Sequence, residues 1–297
     1  MIKDWLAAFR LRTLPLALSS IIMGGFLAYW QQHFSWGIFG LSVLTTIFLQ
    51  VLSNLANDYG DSVHGADSAE REGPQRAVQS GAISAAAMKK AMVLFAALSL
   101  LSGLTLLYVA FPDHLLYVLV FLGIGLLSIY AAITYTSGNN PYGYLGLGDI
   151  SVFLFFGLVG VLGSYFLHTR TFDWINVLPA AACGLLATGV LNVNNIRDIE
   201  SDKKAGKKSI PVRIGRVMAV KYHLSLLMVA VLLSLIFVFL TYQSPSQFLW
   251  LLMLPLLVIN VKAVSQKKES AQLDPYLKQL AMSTLLYVVL FGVGLLF

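Results

Sequence analysis

Residues 37–61 read GIFGLSVLTTIFLQVLSNLANDYGD. The first twenty positions carry no Asp, Glu, Lys or Arg, and the last five hold Asn57, Asp58 and Asp61. A hydrocarbon core about 30 Å thick is crossed by roughly 20 apolar helical residues, so this stretch reads as a membrane span that ends in acids. Eight more apolar runs lie at about 14–31, 86–111, 115–136, 149–168, 174–196, 217–241, 246–264 and 279–297. The whole chain of 297 residues is 58% apolar and 11% charged, with a mean hydropathy of +0.76. Soluble domains carry about 25% charged residues, so lipid is the expected solvent. The expected fold is all-α, a polytopic membrane protein with about nine transmembrane helices around a central cavity that opens to the cytoplasmic side. No Pro/Ser-rich linker interrupts the chain, so residues 1–297 read as a single domain.

The net charge of +6 is distributed for topology, not for nucleic acid. With nine spans and a cytoplasmic N-terminus, 19 of the 20 Lys/Arg fall on cytoplasmic segments, and only Arg170 lies outside. That is the positive-inside bias, and it predicts a multi-pass protein of the cell membrane with its long loops in the cytoplasm. Trp30, Trp36, Trp174 and Trp250 fall near span ends, as interfacial aromatics do. No leader with a cleavage site precedes the first run, so no removable signal peptide is expected. The single cysteine, Cys183, lies in an apolar run and reads as packing. The five histidines are scattered, which gives no His-based metal site.

The long loops follow two related motifs. One is Asn54-Leu-Ala-Asn57-Asp58-Tyr-Gly-Asp61, and the other is Asn192-Val-Asn194-Asn195-Ile-Arg-Asp198-Ile-Glu-Ser-Asp202. Helical residues four apart share a face, so Asn57 aligns with Asp61, and Asn194 with Asp198 and Asp202. Stacked oxygen ligands suit a hard cation such as Mg²⁺, which commonly binds one or two carboxylates plus substrate phosphates. The plain alternative is that these acids only end their spans and pair with nearby arginines. Basic residues follow each motif: Arg76 after the first, and Lys203, Lys204, Lys207, Lys208 and Arg213 after the second. Such side chains can clamp a diphosphate, and Arg76 and Lys203 are preferred for that task, with Arg12 as a further phosphate or acceptor contact. Lys207 and Lys208 serve topology equally well. A third inside loop, Tyr135–Gly148, is rich in glycine and carries no Lys or Arg. Asp149 reads either as a base or as the N-cap of span five.

In that arrangement the chain resembles the UbiA superfamily of intramembrane aromatic prenyltransferases. The residues that carry the likeness are the two acidic motifs, Arg12-Thr-Leu-Pro-Leu-Ala-Leu, Gly73-Pro-Gln-Arg76-Ala, Tyr142-Gly-Tyr-Leu-Gly-Leu-Gly-Asp149 and the run from Asn194 to Lys208. Within the superfamily they are most similar to the 1,4-dihydroxy-2-naphthoate polyprenyltransferases. The resemblance implies metal ligation by Asn57, Asp61, Asp67, Asn194, Asp198 and Asp202, and substrate contacts from Arg12, Asn57, Arg76, Tyr142, Tyr144, Asn194 and Lys203. Asp61, Asp198 and Asp149 would carry the chemistry, and the loop that holds Tyr135, Tyr142 and Tyr144 would roof the site and contact the aromatic acceptor. The implied cofactor is Mg²⁺. The implied partners are polyprenyl diphosphate, 1,4-dihydroxy-2-naphthoate and the lipid bilayer. Many members place a third acid at the position held here by Gly65, and the naphthoate branch shares this chain's pattern, with Asp67 as the next acid.

Two rivals stay open on the residues alone. A relative of the same superfamily could act on another acceptor, such as 4-hydroxybenzoate. A cation-coupled transporter also uses intramembrane acids and repeated halves. Carrier sites usually lie near the midplane, whereas these acids end their spans beside basic loops.

Overall fold

The computed structural model describes residues 2–63 and 76–297, so Asp67 lies outside the described residues. Among these, nine helices are long and apolar enough to cross a membrane, and no strand is present. They are α1 (Ile2–Trp30), α2 (Trp36–Val63), α3 (Ala85–Ala110), α4 (Leu115–Thr134), α5 (Gly148–Thr169), α6 (Trp174–Arg197), α7 (Ile210–Leu240), α8 (Pro245–Gln266) and α9 (Ser270–Leu296). Each apolar run of the sequence falls in one of them, and the chain is a multi-pass membrane protein.

Local chemistry sets the ends. Ser84 caps α3 by accepting from the Ala87 amide at 3.2 Å, which satisfies one of the donors a helix start leaves open. Prolines stand in the first turn of α7 and in the helical segments Leu254–Gln266 of α8 and Asp274–Leu296 of α9. A missing N–H costs nothing at such positions. α1 starts earlier than its apolar run, with a separate amphipathic turn of helix, Ile2–Phe9. Arg10, at φ 48°, breaks it from the rest of α1. Trp36 and Trp174 are exposed at span ends, as interfacial residues are. Trp250 is the exception: it is fully buried against Tyr287 and Phe291.

α6 is the hub. It packs on α5, α7, α9 and α1, and this group encloses the largest buried apolar cluster, which includes Cys183. The rows of small residues explain how close α5 and α6 come. A Cβ on Gly157 would lie 2.8 Å from both the Ala180 carbonyl oxygen and Gly184 Cα. Helices in lipid associate by this kind of close packing. Gly123 and Gly125 have nothing within 4 Å of such a Cβ, so they make no close helix contact of this kind. Along α5, residues Phe153–Leu162 form π-helical turns, and the Ser20 hydroxyl of α1 donates to the Phe156 carbonyl. α2, α3 and α4 pack together as a second group, with their own buried cluster around Leu52, Leu55 and Met88. The interior space lies between the two groups, where α4 and α5 do not form a packed pair.

Candidate active site

Two chambers occupy that space. The polar one, about 260 Å³, is lined by Asn57 and Asp61 of α2, Asn194 of α6, and Asp198 and Asp202 just beyond it. The apolar one, about 850 Å³, runs between α2, α3, α4 and α5. They adjoin, with Gln50, Asn54, Asn57, Tyr135, Val152, Phe156 and Leu191 lining both.

The acidic motifs face each other across the polar chamber. α2 runs uninterrupted through Asp61, so Asn57 and Asp61 do share a helix face. The second motif is different. α6 ends at Arg197, Asp198 has the non-helical angles φ −97° and ψ 13°, and Asp202 belongs to the separate short helix Ile199–Lys204. The ladder expected on one continuous helix is therefore bent at its middle residue. All three of its side chains still reach the chamber wall.

Asp61, Asp198 and Asp202 each have a cation beside them. Arg76 Nη2 lies 2.5 Å from Asp61 Oδ2, and the same guanidinium donates to the Asn57 carbonyl. Lys207 Nζ lies 3.0 Å from Asp61 Oδ1 and 3.6 Å from Asp202 Oδ1, so one ammonium bridges the two motifs. Its other face lies over the Tyr144 ring at 4.8 Å, and the Tyr144 hydroxyl donates to Asp61 Oδ1 at 2.8 Å. Burial pushes the Asp202 carboxyl up to about 6; Lys207 opposes that rise, and the charges of Asp198 and Asp61 add to it. Asp58 does not line the chamber. It accepts from the Ala77 and Val78 amides, each at 3.1 Å, and so ties the segment after Arg76 to α2.

The roof is held by backbone contact. The Thr136 hydroxyl donates to Asn57 Oδ1 and to the Ala56 carbonyl, both at 3.0 Å. A Cβ on Gly60 would stand 2.4 Å from the Thr136 carbonyl oxygen, so the first motif has glycine where the roof comes down on it. Tyr135 sits at the junction of the chambers. Burial, with Tyr142, Asp149, Asp61 and Asp202 nearby, pushes its phenol well above the usual range and keeps it protonated.

The UbiA prenyltransferase family model matches residues 17–294. The chain belongs to the UbiA prenyltransferase family. It is 48% identical over 297 residues to the 1,4-dihydroxy-2-naphthoate octaprenyltransferase of Haemophilus influenzae, covering 99% of this chain and 96% of that one. It is 47% identical over 294 residues to the protein of the same name from Escherichia coli, covering 99% and 95%. Among solved structures, a UbiA homolog from Archaeoglobus fulgidus bound to DMAPP and Mg²⁺ superposes with a TM-score of 0.70 at 18% identity, covering 98% of each chain. That likeness is one of fold.

Several expected site residues of this UbiA chain stand elsewhere. Lys203 is exposed and does not line the polar chamber, whereas Lys207 does. Arg12 is also outside the lining and lies 3.7 Å from Asp274. Tyr142 lines the apolar chamber; its hydroxyl lies 3.0 Å from both the Ala131 carbonyl and Ser151 Oγ. The N-cap position of α5 is Leu147, so Asp149 is not the cap. Asp149 lines the polar chamber and accepts from the Tyr222 hydroxyl at 3.2 Å. The sequence does not single out Thr136, and it places Tyr135 in the roof loop with Tyr142 and Tyr144 and not at a junction of two chambers. Their signal was position, directly after α4 and opposite a glycine of the first motif.

The donor set fits a hard cation. Every candidate ligand is an amide or carboxylate oxygen, and Lys207 already holds a positive charge between the motifs. Among the described residues no group of three His, Cys, Asp or Glu side chains stands ready to hold a metal. Mg²⁺ does not require one, since it keeps several waters and takes substrate phosphates as ligands.

Proposed function

We propose that the chain transfers a polyprenyl group from polyprenyl diphosphate to 1,4-dihydroxy-2-naphthoate, with loss of diphosphate and CO₂, giving the hydroquinone form of demethylmenaquinone for menaquinone biosynthesis. The observation that carries this reading is the adjacency of the two chambers. A carboxylate-lined pocket with Arg76 and Lys207 at its wall lies directly beside an apolar space and shares lining residues with it. A prenyl diphosphate has this same division, a highly charged head on a long hydrocarbon tail. The naphthoate acceptor is inferred from the names of the two relatives at 47% and 48% identity.

A bound Mg²⁺ would supply charge neutralisation to the leaving diphosphate, held by Asn57, Asp61, Asn194, Asp198 and Asp202. Arg76 and Lys207 stand where they can follow the outer diphosphate oxygens as the C–O bond breaks. The allylic carbon, now electron-poor, lies at the chamber junction, where the ring carbon bearing the carboxylate attacks it. Loss of CO₂ from that carbon restores the aromatic ring. Tyr135, protonated and at the junction, presents a neutral wall there, and the apolar chamber keeps water from the cation. Asp149 is the acid on the α5 side of the polar chamber, suited to accept a proton from a ring hydroxyl of the acceptor. The polar end is assigned to the cytoplasm from the Lys/Arg distribution.

An acceptor panel tests the assignment. Purified protein with octaprenyl diphosphate and Mg²⁺ is expected to prenylate 1,4-dihydroxy-2-naphthoate at least ~100-fold more efficiently than 4-hydroxybenzoate, the range available to a site built around a substrate's polar groups. Preference for 4-hydroxybenzoate would move the chain to another branch of the family. Absence of diphosphate release with any aromatic acceptor would end the prenyl-transfer reading.

A further inference from the structure

Arg197 immediately precedes Asp198 and is buried, 4% exposed. Its guanidinium makes four hydrogen bonds. Nε donates to Asp198 Oδ1 at 2.7 Å, and Nη2 donates to Asp198 Oδ2 at 2.8 Å. Nη2 also donates to Asn194 Oδ1 at 2.9 Å, and Nη1 donates to Asp274 Oδ1 at 2.7 Å. Asn194 and Asp198 line the polar chamber, whereas Arg197, Asp274 and Arg12 do not. The arginine therefore stands behind two of the candidate ligands and grips both.

A buried guanidinium in that place has two opposed effects. Its planar fork fixes the rotamers of Asn194 and Asp198 as a freely rotating ammonium cannot. Its charge also opposes a divalent cation bound to the same oxygens. Asp274 offsets the second effect. It sits in the first turn of the helical segment Asp274–Leu296, where a negative charge is favoured by the helix dipole. It takes one arm of Arg197, and Arg12 lies 3.7 Å from its other oxygen.

We propose that Arg197 and Asp274 are positioning residues for the metal–diphosphate site: Arg197 orients Asn194 and Asp198, and Asp274 shares the guanidinium's charge so that those oxygens remain available to a divalent cation. This rests on the prenyl-transfer reading above. It gives the start of α9 a part in the site although that turn touches neither chamber through Asp274. Partners that orient metal ligands from behind commonly change metal affinity about 10- to 100-fold when altered.

The test uses full-length protein in detergent, with Mn²⁺ as a paramagnetic probe and inorganic diphosphate present, and no turnover. Asp274→Asn keeps the size of the side chain and removes its charge. It is expected to weaken Mn²⁺ binding about 10-fold or more, whereas Asp274→Glu stays close to wild type. The metal-free unfolding midpoint is recorded alongside, because a purely structural pair would lower that midpoint and leave Mn²⁺ affinity unchanged. Arg197→Lys, which keeps the charge and loses the fork, is expected to weaken Mn²⁺ binding as well and covers the case in which Asp274→Asn does not fold. Equal Mn²⁺ affinity in wild type and the folded variants would overturn the inference alone. Wild-type protein that binds no Mn²⁺ would overturn the metal-assisted reading and this inference together.

Discussion

The ammonium of Lys207 stands between Asp61 and Asp202, and the guanidinium of Arg76 pairs with Asp61 from another side. These cations are the protein's own means of holding a carboxylate-rich pocket together in a low-dielectric setting. Asp61→Ala and Asp198→Ala are each expected to lower kcat at least ~100-fold while the protein stays inserted and folded, the scale found when one charge-stabilising group is removed from a reacting centre. Diphosphate release at wild-type rate in either variant would contradict the metal assignment. Lys207→Ala is expected to raise the apparent KM for prenyl diphosphate about 10-fold, in keeping with loss of one charge-assisted contact. Lys203→Ala, at an exposed position, is expected to leave that KM unchanged. A larger effect at Lys203 than at Lys207 would reverse the roles given to them here.

At the scale of elements, backbone approach matters more than composition. Gly157 of α5 meets the α6 backbone, so Gly157→Val overpacks a rigid contact and is expected to cost about 1–3 kcal/mol, read as a lowered unfolding midpoint. Gly123→Ala, with nothing within 4 Å, is expected to leave the midpoint unchanged. A pattern of glycines in the sequence does not separate these two cases, because the partner backbone is far away in the chain. The spans themselves were legible, since nine long apolar runs leave lipid as the only plausible solvent for them. The first acidic motif was legible too, as an uninterrupted helix obeys the four-residue spacing. The second was legible in its residues but not in its shape. Adjacent residues on a helix do not face each other, so nothing in the spacing brings Arg197 to Asp198; the non-helical turn at Asp198 does. The reading that acids pair with nearby arginines was also correct for Asp61 and Asp198. Ion pairing and membership of the chamber wall coexist in those two side chains.

At the scale of the whole molecule, two helix groups enclose a space that is charged at one end and apolar along the rest. α2 is common to both regions: its end supplies Asn57 and Asp61, and its middle lines the apolar chamber through Ser42, Thr46 and Gln50. In the proposed reaction that division assigns the bond-breaking step to the junction lined by Asn57 and Tyr135. Tail and head of a prenyl diphosphate are sorted by solvent, and the acceptor has to meet the allylic carbon where the two regions join. The most direct measurement follows from the chemistry expected at that junction. Purified protein is given octaprenyl diphosphate, Mg²⁺ and 1,4-dihydroxy-2-naphthoate labelled at its carboxyl carbon, and released diphosphate and labelled CO₂ are counted in the same reaction. The account predicts that the two appear together in equal amounts, with both lost when Mg²⁺ is chelated. Diphosphate released without CO₂, or equal turnover in the absence of a divalent cation, would contradict it.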